Sequence, residues 1–291
     1  MGEPLPICYL NGEFLPLREA RISPLDRGFL YSDGCYEVTP VYGGRPFRFQ
    51  QHHDRLTRSL REIRLADPLT QDAWRELYRG LIAKNPGPQD LYIYVQVTRG
   101  AEYGRNHAPL PDVPRTVFAF ASPWPEGRAG WREDGLPAVT AQDTRWARCD
   151  IKSVSLLANV LLRQLAVDDN ATECILFRDG QLTDGSSSSV HAVIDGELCT
   201  PPNSWKLLPG TTRGVIEEVA SQAGVKWRSA NVSEAQLRSA SEILLGAATR
   251  EVHPVTSLDG QPVGTGKPGP VWKKLYDAFQ AYKVQLAGTP W

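Results

Sequence analysis

The sequence predicts an α+β protein of two lobes, and three observations support this class. Residues 1–122 combine glycine-containing turns with amphipathic helical patterns, which is typical of a small α/β lobe. Residues 131–291 mix short apolar strands with helical segments, which indicates a larger lobe of mixed structure. Residues 123–130, between the two, are rich in proline and glycine and form the expected linker.

Turn sequences and apolar spacing define the elements of the first lobe. Residues 7–17 and 37–49 are predicted as hairpins that turn at Asn11-Gly12 and Gly43-Gly44, because these pairs accept the positive φ of tight turns. Strands are expected at residues 90–98 and 115–121. The apolar spacing further predicts two helices, one with Leu56, Leu60 and Ile63 on one face and one, after Thr70, with Trp74, Leu77, Leu81 and Ile82.

The second lobe is predicted to contain both strands and helices. Apolar runs indicate strands at residues 173–177 and 190–194. Helical spacing indicates helices near residues 156–165, 212–221 and 271–284. The chain of 291 residues is long enough for two compact lobes with a sizeable core.

Composition and charge exclude several classes of function. The formal net charge of -1 and the lack of a basic stripe argue against a nucleic-acid partner. No apolar run is long enough to span a bilayer, and a secretory leader is not expected at the N-terminus. Five cysteines without C-x-x-C spacing indicate reduced thiols, so a soluble, cytoplasmic protein is expected. The histidines lack the spacing of metal ligands, and no metal site is expected.

Lys152 is the candidate catalytic residue, because it lies where an extended segment is predicted to meet a helix. Desolvation at such a junction disfavours the ammonium form, and a neutral lysine amine attacks carbonyl groups. An isolated lysine is more often a solvated surface charge, but two later segments favour the catalytic interpretation.

These two segments carry a carboxylate and an anion site. Asp184 and a glycine precede four serines between two predicted strands. Residues 207–215 place glycine and two threonines at the start of an amphipathic helix, where unpaired N–H groups and the helix dipole bind phosphate. Alone, such segments are commonly a flexible loop and a helix cap. With Lys152 they supply what pyridoxal phosphate requires: a Schiff-base lysine, an acid at the pyridine nitrogen and a phosphate site.

At these motifs the chain resembles the fold-type IV pyridoxal-phosphate enzymes, and among them the D-amino acid aminotransferases. The resemblance rests on residues 145–153, on the Gly-Ser-Ser-Ser run after Asp184 and on the Gly-Thr-Thr-Arg helix start. Residues 26–37 are similar to the opening motif of the family, and the similarity covers nearly the whole chain. It implies pyridoxal 5'-phosphate as cofactor and a C-terminal lobe that carries Lys152 and has a β-barrel-like core.

The resemblance also implies roles for individual residues. Arg55 matches the arginine that holds the cofactor phosphate, a task suited to a planar bidentate donor. Tyr36 matches a tyrosine that points into the site. The implied cofactor-binding set comprises Arg55, Lys152, Asp184, Ser187, Ser188, Leu208, Thr211, Thr212, Ala248 and Thr249.

Arg105 and His107 indicate the subfamily. In D-amino acid aminotransferases an Arg-x-His sequence on this loop binds the substrate α-carboxylate together with the tyrosine that Tyr36 matches. Branched-chain L-aminotransferases and aminodeoxychorismate lyases share the cofactor residues but are not expected to carry this pair. A guanidinium and an imidazole are charge-assisted donors for a carboxylate, whereas the loop tip alone would indicate only solvated charges.

Two positions depart from the family pattern. Asp184 stands where relatives have glutamate, so contact with the pyridine nitrogen requires a shift or a bridging water. Ala248 stands where relatives place a threonine hydroxyl, so this turn is expected to bind phosphate through main-chain N–H groups and more weakly.

The implied reaction is a ping-pong transamination through a Schiff base at Lys152. Its substrates would be a D-amino acid such as D-alanine and a 2-oxo acid such as 2-oxoglutarate or pyruvate. A homodimer is implied as well, with the Arg105 loop reaching the neighbouring subunit's site. The alternatives are a branched-chain L-amino acid aminotransferase, an aminodeoxychorismate lyase, an (R)-amine transaminase, or a non-catalytic homologue that binds the cofactor.

Overall fold

The computed structural model describes residues 3–124, 128–287, 289 and 291. Contacts within the chain group these residues into two units, each with its own sheet. The first unit contains the described residues before 125, residues 151–155 and the two described residues at the C-terminus. The second unit contains the described residues of 128–150 and 156–287. Within the described chain, no helix combines the length and the apolarity that crossing a membrane requires.

An antiparallel sheet of six strands and two long helices form the first unit. The strands are β1 (Ile7–Leu10), β2 (Glu13–Pro16), β3 (Gly34–Tyr42), β4 (Arg45–Pro46), β5 (Leu91–Thr98) and β6 (Thr116–Pro123). The helices are α1 (Arg27–Tyr31), α2 (Phe49–Glu62) and α3 (Gln71–Lys84), with a 3-10 turn at Leu17–Glu19. The strands lie in the order β2-β1-β6-β5-β3-β4.

Both predicted hairpin turns are confirmed, and the second hairpin is shorter than predicted. Asn11 and Gly12 have φ of 49° and 103° and join β1 to β2, since both positions of this turn need positive φ. The Gly43-Gly44 pair joins β3 to β4 in the same way. The ladder ends at Pro46, because proline has no N–H group with which to continue it.

Helices α2 and α3 cover one face of this sheet. Thr70 begins α3 by accepting a hydrogen bond of 3.2 Å from the N–H of Ala73, as a capping residue does. The predicted apolar faces of both helices are confirmed, and their buried residues join strand residues in one core: Leu56, Leu60, Trp74, Leu77 and Leu81 with Val95, Val97 and Ala119.

The second unit is a larger sheet covered by helices. Its strands are β7 (Leu136–Gln142), β8 (Glu173–Arg178), β9 (Gln181–Gly185), β10 (Ser189–Ile194), β11 (Glu197–Thr200), β12 (Trp227–Ser229), β13 (Glu242–Ala247), β14 (Glu251–Leu258) and β15 (Gln261–Pro262). Its helices are α4 (Arg128–Glu133), α5 (Leu157–Asp168), α6 (Thr211–Gln222), α7 (Glu234–Arg238) and α8 (Pro270–Ala287).

This second sheet curls on itself. Its strands follow the order β12-β11-β10-β13-β14-β7-β8-β9, with β15 paired to β14. The edge strand β9 also contacts β10, which lies in the other arm of the sheet, so the sheet approaches a closed form. Helices α6 and α8 pack on β13 and β14, and α5 packs on β7 and β8. The predicted α+β class with a β-barrel-like core is confirmed.

The segment that carries Lys152 belongs to the first unit, which corrects the predicted division at this point. The N–H of Tyr36 donates to the carbonyl of Lys152 at 3.1 Å, and the N–H of Val154 donates to the carbonyl of Gly34 at 3.0 Å. On its other side, the N–H of Lys152 donates to Oγ of Ser59 in α2 at 3.2 Å. These bonds add the segment to the edge of β3, so it leaves the lobe to which sequence order assigned it.

The predicted linker is shorter than expected where the structure describes it. Pro123 still belongs to β6, and α4 begins at Arg128. The centre of the predicted linker, residues 125–127, lies outside the described residues.

We predict that Gly100→Ala lowers the free energy of unfolding by roughly 3 kcal/mol. Gly100 has φ of +98°, and a methyl group there would overlap the carbonyl oxygen of Pro114. Gly104→Ala is the matched control, because Gly104 has φ of +109° but nothing within 4 Å of an added methyl group. Its cost should be roughly 1 kcal/mol. Equal losses for the two variants in urea denaturation would contradict the close approach at Gly100.

Candidate active site

Lys152 and Tyr36, both predicted site residues, lie together in the first unit. The main chain of Lys152 is hydrogen bonded on both sides, to Tyr36 and to Ser59. Its half-buried side chain places Nζ 4.0 Å from the centroid of the Tyr36 ring. The Tyr36 ring stacks in turn on Tyr94, with centroids 5.6 Å apart. The backbone of the lysine is therefore fixed, and only its side chain is left to move the amine.

Arg55 is held by Glu37, a residue that sequence reasoning missed. Nε and Nη2 of Arg55 donate to the two carboxylate oxygens of Glu37 at 2.9 Å and 2.6 Å. Nδ1 of His52 lies 3.0 Å from Oε1 of the same carboxylate. Burial by itself would raise the pKa of Glu37, but Arg55 and His52 hold it well below its usual value. The alternation of side chains along a strand could have indicated this role of Glu37. Because Glu37 follows Tyr36 in β3, it must face the opposite side of the sheet, towards α2.

Arg105 and His107 lie on the loop between β5 and β6, and both contact the ring of Tyr31. The Arg105 guanidinium carbon is 5.0 Å from the centroid of this ring, and the His107 ring centroid is 5.5 Å from it. Both side chains are exposed. The structure therefore brings the predicted carboxylate-binding pair together on one aromatic residue.

Asp184 and Leu208 are brought together in the second unit. Oδ2 of Asp184 accepts from the N–H of Leu208 at 3.2 Å and from Nη1 of Arg145 at 3.3 Å. Arg145 is held in its turn by Asp143, with two contacts of 3.0 Å. Burial raises the pKa of the Asp184 carboxyl to about 6, against the opposing effect of Arg145. The acid is ionised at neutral pH, and its orientation is set by two donors.

The hydroxyls of Ser187 and Ser188, two residues predicted to bind the cofactor, face Glu173. Their hydroxyls donate to Oε2 of Glu173 at 2.9 Å and 2.8 Å, and Ser186 donates to Oε1. Nη1 of Arg250 also lies 3.2 Å from Oε2. With these donors the fully buried carboxylate is satisfied, and the serine loop is held by its side chains. The sequence could have indicated this role of Glu173, because a charged residue stands at the start of the apolar run of β8.

The start of α6 and the turn between β13 and β14 lie near this serine loop. Thr211 and Thr212 begin α6 after Gly210, which has no side chain to accept from the first N–H groups. A methyl group on Gly210 would lie 3.6 Å from Oγ of Ser189, and one on Gly246 would lie 2.9 Å from it. The absence of side chains at both glycines lets these segments approach Ser189 closely.

Ala248 and Thr249 occupy the turn between β13 and β14. The next residue, Arg250, returns to Glu173 through its guanidinium. Burial lowers the pKa of Arg250, although Glu173 opposes this effect. The turn is thus linked to the serine loop through one carboxylate, a link that the sequence pattern did not show.

The described residues include a lysine with a fixed main chain, a buried acid held by an arginine and a helix start without a side-chain cap, which are groups that pyridoxal-phosphate enzymes use. The family described as amino-transferase class IV matches residues 34–258. The chain therefore belongs to the class IV aminotransferase family and is a pyridoxal-phosphate-dependent aminotransferase. The expected family, enzyme class and cofactor are confirmed.

Relatives of known function cover almost the whole chain. The D-alanine aminotransferase of Staphylococcus aureus (strain MSSA476) is 38% identical over 275 residues, which is 94% of this chain and 96% of that protein. The D-alanine aminotransferase of Listeria monocytogenes serotype 4b (strain F2365) is 36% identical over 281 residues, 96% of each chain.

Solved structures of similar fold include two branched-chain amino acid aminotransferases. The Escherichia coli enzyme has a TM-score of 0.88 at 27% identity and covers 95% of this chain and 94% of its own. A second enzyme, from T.th. and complexed with N-(5'-phosphopyridoxyl)-L-glutamate, has a TM-score of 0.85 at 25% identity, over 95% and 93% of the two chains.

The residues present fit the cofactor. In the described part of the chain, both hydrogen bonds that Asp184 accepts end on Oδ2, so Oδ1 remains as an acceptor for a protonated ring nitrogen. The start of α6 offers N–H groups and the positive end of the helix dipole to a phosphate. Lys152 would supply the amine.

We predict that Asp184→Asn changes how the stability of the cofactor-free protein depends on pH. The folded pKa of about 6 lies above the ordinary value of 3.8, so the folded state binds this proton more tightly than the unfolded state. The resulting stabilisation is present at low pH and is lost as the pH rises towards 6. Relative to Asp184→Asn, the unsubstituted protein should lose about 2 kcal/mol between pH 4 and pH 7. Urea denaturation of both proteins across this range measures the difference, and a difference independent of pH would contradict the raised pKa.

Proposed function

We propose that the chain transfers the amino group of a D-amino acid, such as D-alanine, to a 2-oxo acid, such as 2-oxoglutarate or pyruvate. The observation that carries this proposal is the placement of Arg105 and His107 on one aromatic ring, which gives a paired donor set for a carboxylate. The identity to D-alanine aminotransferases of 36% and 38% over most of the chain supports the same substrate class.

Lys152 would hold the cofactor and transfer the proton. When bound, pyridoxal phosphate supplies a carbonyl carbon that exchanges amino groups and a ring that accepts the electrons released at the substrate Cα. The amine of Lys152 would accept the proton from the substrate Cα and carry it to the cofactor side of the transferred nitrogen. Since its main chain is fixed, the amine reaches both positions by rotation of its own side chain.

The remaining cofactor roles would fall to one acid, one arginine and several main-chain groups. Asp184 would hold the proton on the ring nitrogen, and Arg145 keeps this acid anionic and oriented. Arg55, held by Glu37, would bind the phosphate with the first N–H groups of Thr211 and Thr212. Ser187, Ser188, Ala248 and Thr249 would contribute through the main chain, since the two serine hydroxyls already donate to Glu173.

The substrate α-carboxylate would be bound by Tyr36, Arg105 and His107. A guanidinium offers two parallel donors to a carboxylate and fixes its direction. Fixing the carboxylate determines which face of Cα is presented to Lys152, and so the chirality of the substrate. A second oxo acid then runs the same steps in reverse, which makes the reaction ping-pong.

We propose that this enzyme forms a homodimer and acts in the cytoplasm. Phe29 and Tyr103, near the Arg105 loop, are 73% and 99% exposed, and a second copy would cover apolar surface of this kind. The loop would then reach the neighbouring subunit's site. All five cysteines are buried and unpaired, which supports a reducing compartment.

We predict that Lys152→Ala reduces kcat by about 1000-fold or more, because both the attachment of the cofactor and the proton transfer depend on its amine. The visible absorbance of the lysine-bound cofactor should disappear as well. Lys273→Ala is the control, since Lys273 lies on α8 and pairs with Asp277 at the surface. Normal turnover by the Lys152→Ala variant would exclude Lys152 from the reaction.

We predict that Arg105→Ala raises the KM for D-alanine by about 10- to 100-fold, the loss expected for a charge-assisted hydrogen bond to a carboxylate. The absorbance of the resting enzyme should not change, because Arg105 is not expected to bind the cofactor. Arg115→Ala is the matched control, since Arg115 lies at the end of the same loop and donates to the carbonyl of Val113. An unaltered KM in the Arg105 variant would remove Arg105 from the substrate site.

The substrate class is tested by mixing the holoenzyme separately with D-alanine, L-leucine and (R)-1-phenylethylamine and following the visible absorbance of the cofactor. D-Alanine should bleach it fastest. Fastest bleaching by L-leucine would instead indicate a branched-chain aminotransferase, a function favoured by the structures of similar fold. Fastest bleaching by the amine would indicate an (R)-amine transaminase, and no bleaching by any donor would indicate a non-catalytic homologue.

A further inference from the structure

The loop between β5 and β6, which carries Arg105 and His107, is closed at its base by Asp26. Oδ2 of Asp26 accepts from Oγ1 of Thr98 at 3.0 Å and from Oγ1 of Thr116 at 2.6 Å. These two threonines face each other as the last and first residues of the paired strands. Asp26 therefore fixes where the loop leaves and rejoins the sheet, but it does not reach the tip.

Arg27, the next residue, extends into the loop itself. Its Nη1 donates to Oε1 of Glu102 and to the carbonyl of Asn106, both at 2.6 Å, and its Nη2 donates to the carbonyl of His107 at 3.1 Å. Nε pairs with Asp33 at 2.9 Å. The side chain of Arg27 is buried, so these contacts form away from bulk water.

These contacts fix the main chain immediately after Arg105. With the carbonyls of Asn106 and His107 held by one guanidinium, the directions of the neighbouring side chains follow. The guanidinium of Arg27 also lies 4.6 Å from the centroid of the Tyr31 ring, which Arg105 and His107 contact as well. Arg27 thus contacts both the loop backbone and the aromatic ring that Arg105 and His107 contact.

We propose that Arg27 is a positioning residue for the substrate carboxylate, acting through the main chain of Asn106 and His107. This proposal rests on the proposed role of Arg105 and His107. A rigid guanidinium is needed for the task, because three groups of the loop and Asp33 are bound at once from one planar side chain. A lysine ammonium keeps the charge but cannot span these acceptors.

The test compares Arg27→Lys with the unsubstituted holoenzyme in steady-state transamination of D-alanine. Displacement of the loop donors by about 1 Å should raise KM by roughly 10- to 100-fold while kcat changes by less than about threefold. The resting absorbance of the cofactor should stay unchanged. In the double variant Arg27→Lys with Arg105→Ala, the further rise in KM caused by Arg27→Lys should be smaller than in the unsubstituted enzyme, because one of the two donors that Arg27 positions is already absent.

Arg99→Lys is the matched control. Arg99 also pairs with Asp33, through both carboxylate oxygens at 2.8 Å and 3.0 Å, but its other acceptors are the carbonyls of Ile63 and Arg64 at the end of α2. This variant should lose stability to a similar extent without the rise in KM. An equal rise in both variants would mean general loosening and would overturn the proposal.

The other outcomes separate this proposal from the function on which it rests. If Arg105→Ala raises KM and Arg27→Lys does not, the positioning role is wrong and the proposed function stands. If Arg105→Ala leaves KM unchanged, the carboxylate site itself is wrong. Should Arg27→Lys fail to fold, Glu102→Gln weakens the same anchor from the loop side. It should raise KM by roughly three- to tenfold with an unchanged resting absorbance, and no rise would overturn the proposal.

Discussion

The pairing of residues 152–154 with the edge of β3 is the interaction on which the first unit's site depends. It fixes the lysine backbone from one side, and Ser59 of α2 fixes it from the other. Successive residues of β3 face opposite sides of the sheet, so Tyr36 faces the lysine amine while Glu37 faces α2 and orients Arg55. One strand therefore positions both the residue proposed to hold the cofactor and the residue proposed to hold its phosphate.

Carboxylates with arginine partners, most of them buried, recur in both units. The pairs are Glu37–Arg55, Asp33–Arg27, Asp33–Arg99, Asp184–Arg145 and Glu173–Arg250. Removing two ions from water costs several kcal/mol for each, which their mutual attraction roughly offsets, so such pairs add little net stability. The pairs fix the orientation of the side chains, because planar guanidinium and carboxylate groups hold each other in place. The charges of the site are thereby arranged before a substrate binds, which is the condition for electrostatic catalysis.

The parts of the fold that sequence predicted well depend on few residues close together. The Asn11-Gly12 turn and the Thr70 cap require only local conformations and one local hydrogen bond. The placement of Lys152 beside Tyr36 was anticipated from the resemblance of whole motifs. By contrast, the residues that hold Lys152 lie far from it in sequence, on α2 and β3, and no local pattern fixes which of them meet.

Ser187 and Lys152 show why other parts of the structure could not be predicted from the sequence. The run of serines after Asp184 predicts a loop rich in donors, but the direction of the Ser187 hydroxyl depends on Glu173, which lies on the neighbouring strand. Similarly, sequence order assigns Lys152 to the second lobe, whereas hydrogen bonds to β3 place it in the first unit. Both outcomes depend on contacts between residues that are far apart in sequence, and these contacts are made only when the sheets form.

Asp184, the acid proposed to face the cofactor ring, is held by two donors. Arg145 and the N–H of Leu208 both donate to Oδ2, which fixes that oxygen and leaves Oδ1 as an acceptor. With a pKa of about 6, the carboxyl is an anion at neutral pH, and a positive ring nitrogen beside it would favour the anion further. Aspartate in place of the glutamate that the resemblance implies would therefore change the reach of this acid but not its charge. In the proposed site, the distance between Asp184 and the ring nitrogen would depend on Leu208 and on the Arg145–Asp143 pair, which hold the acid.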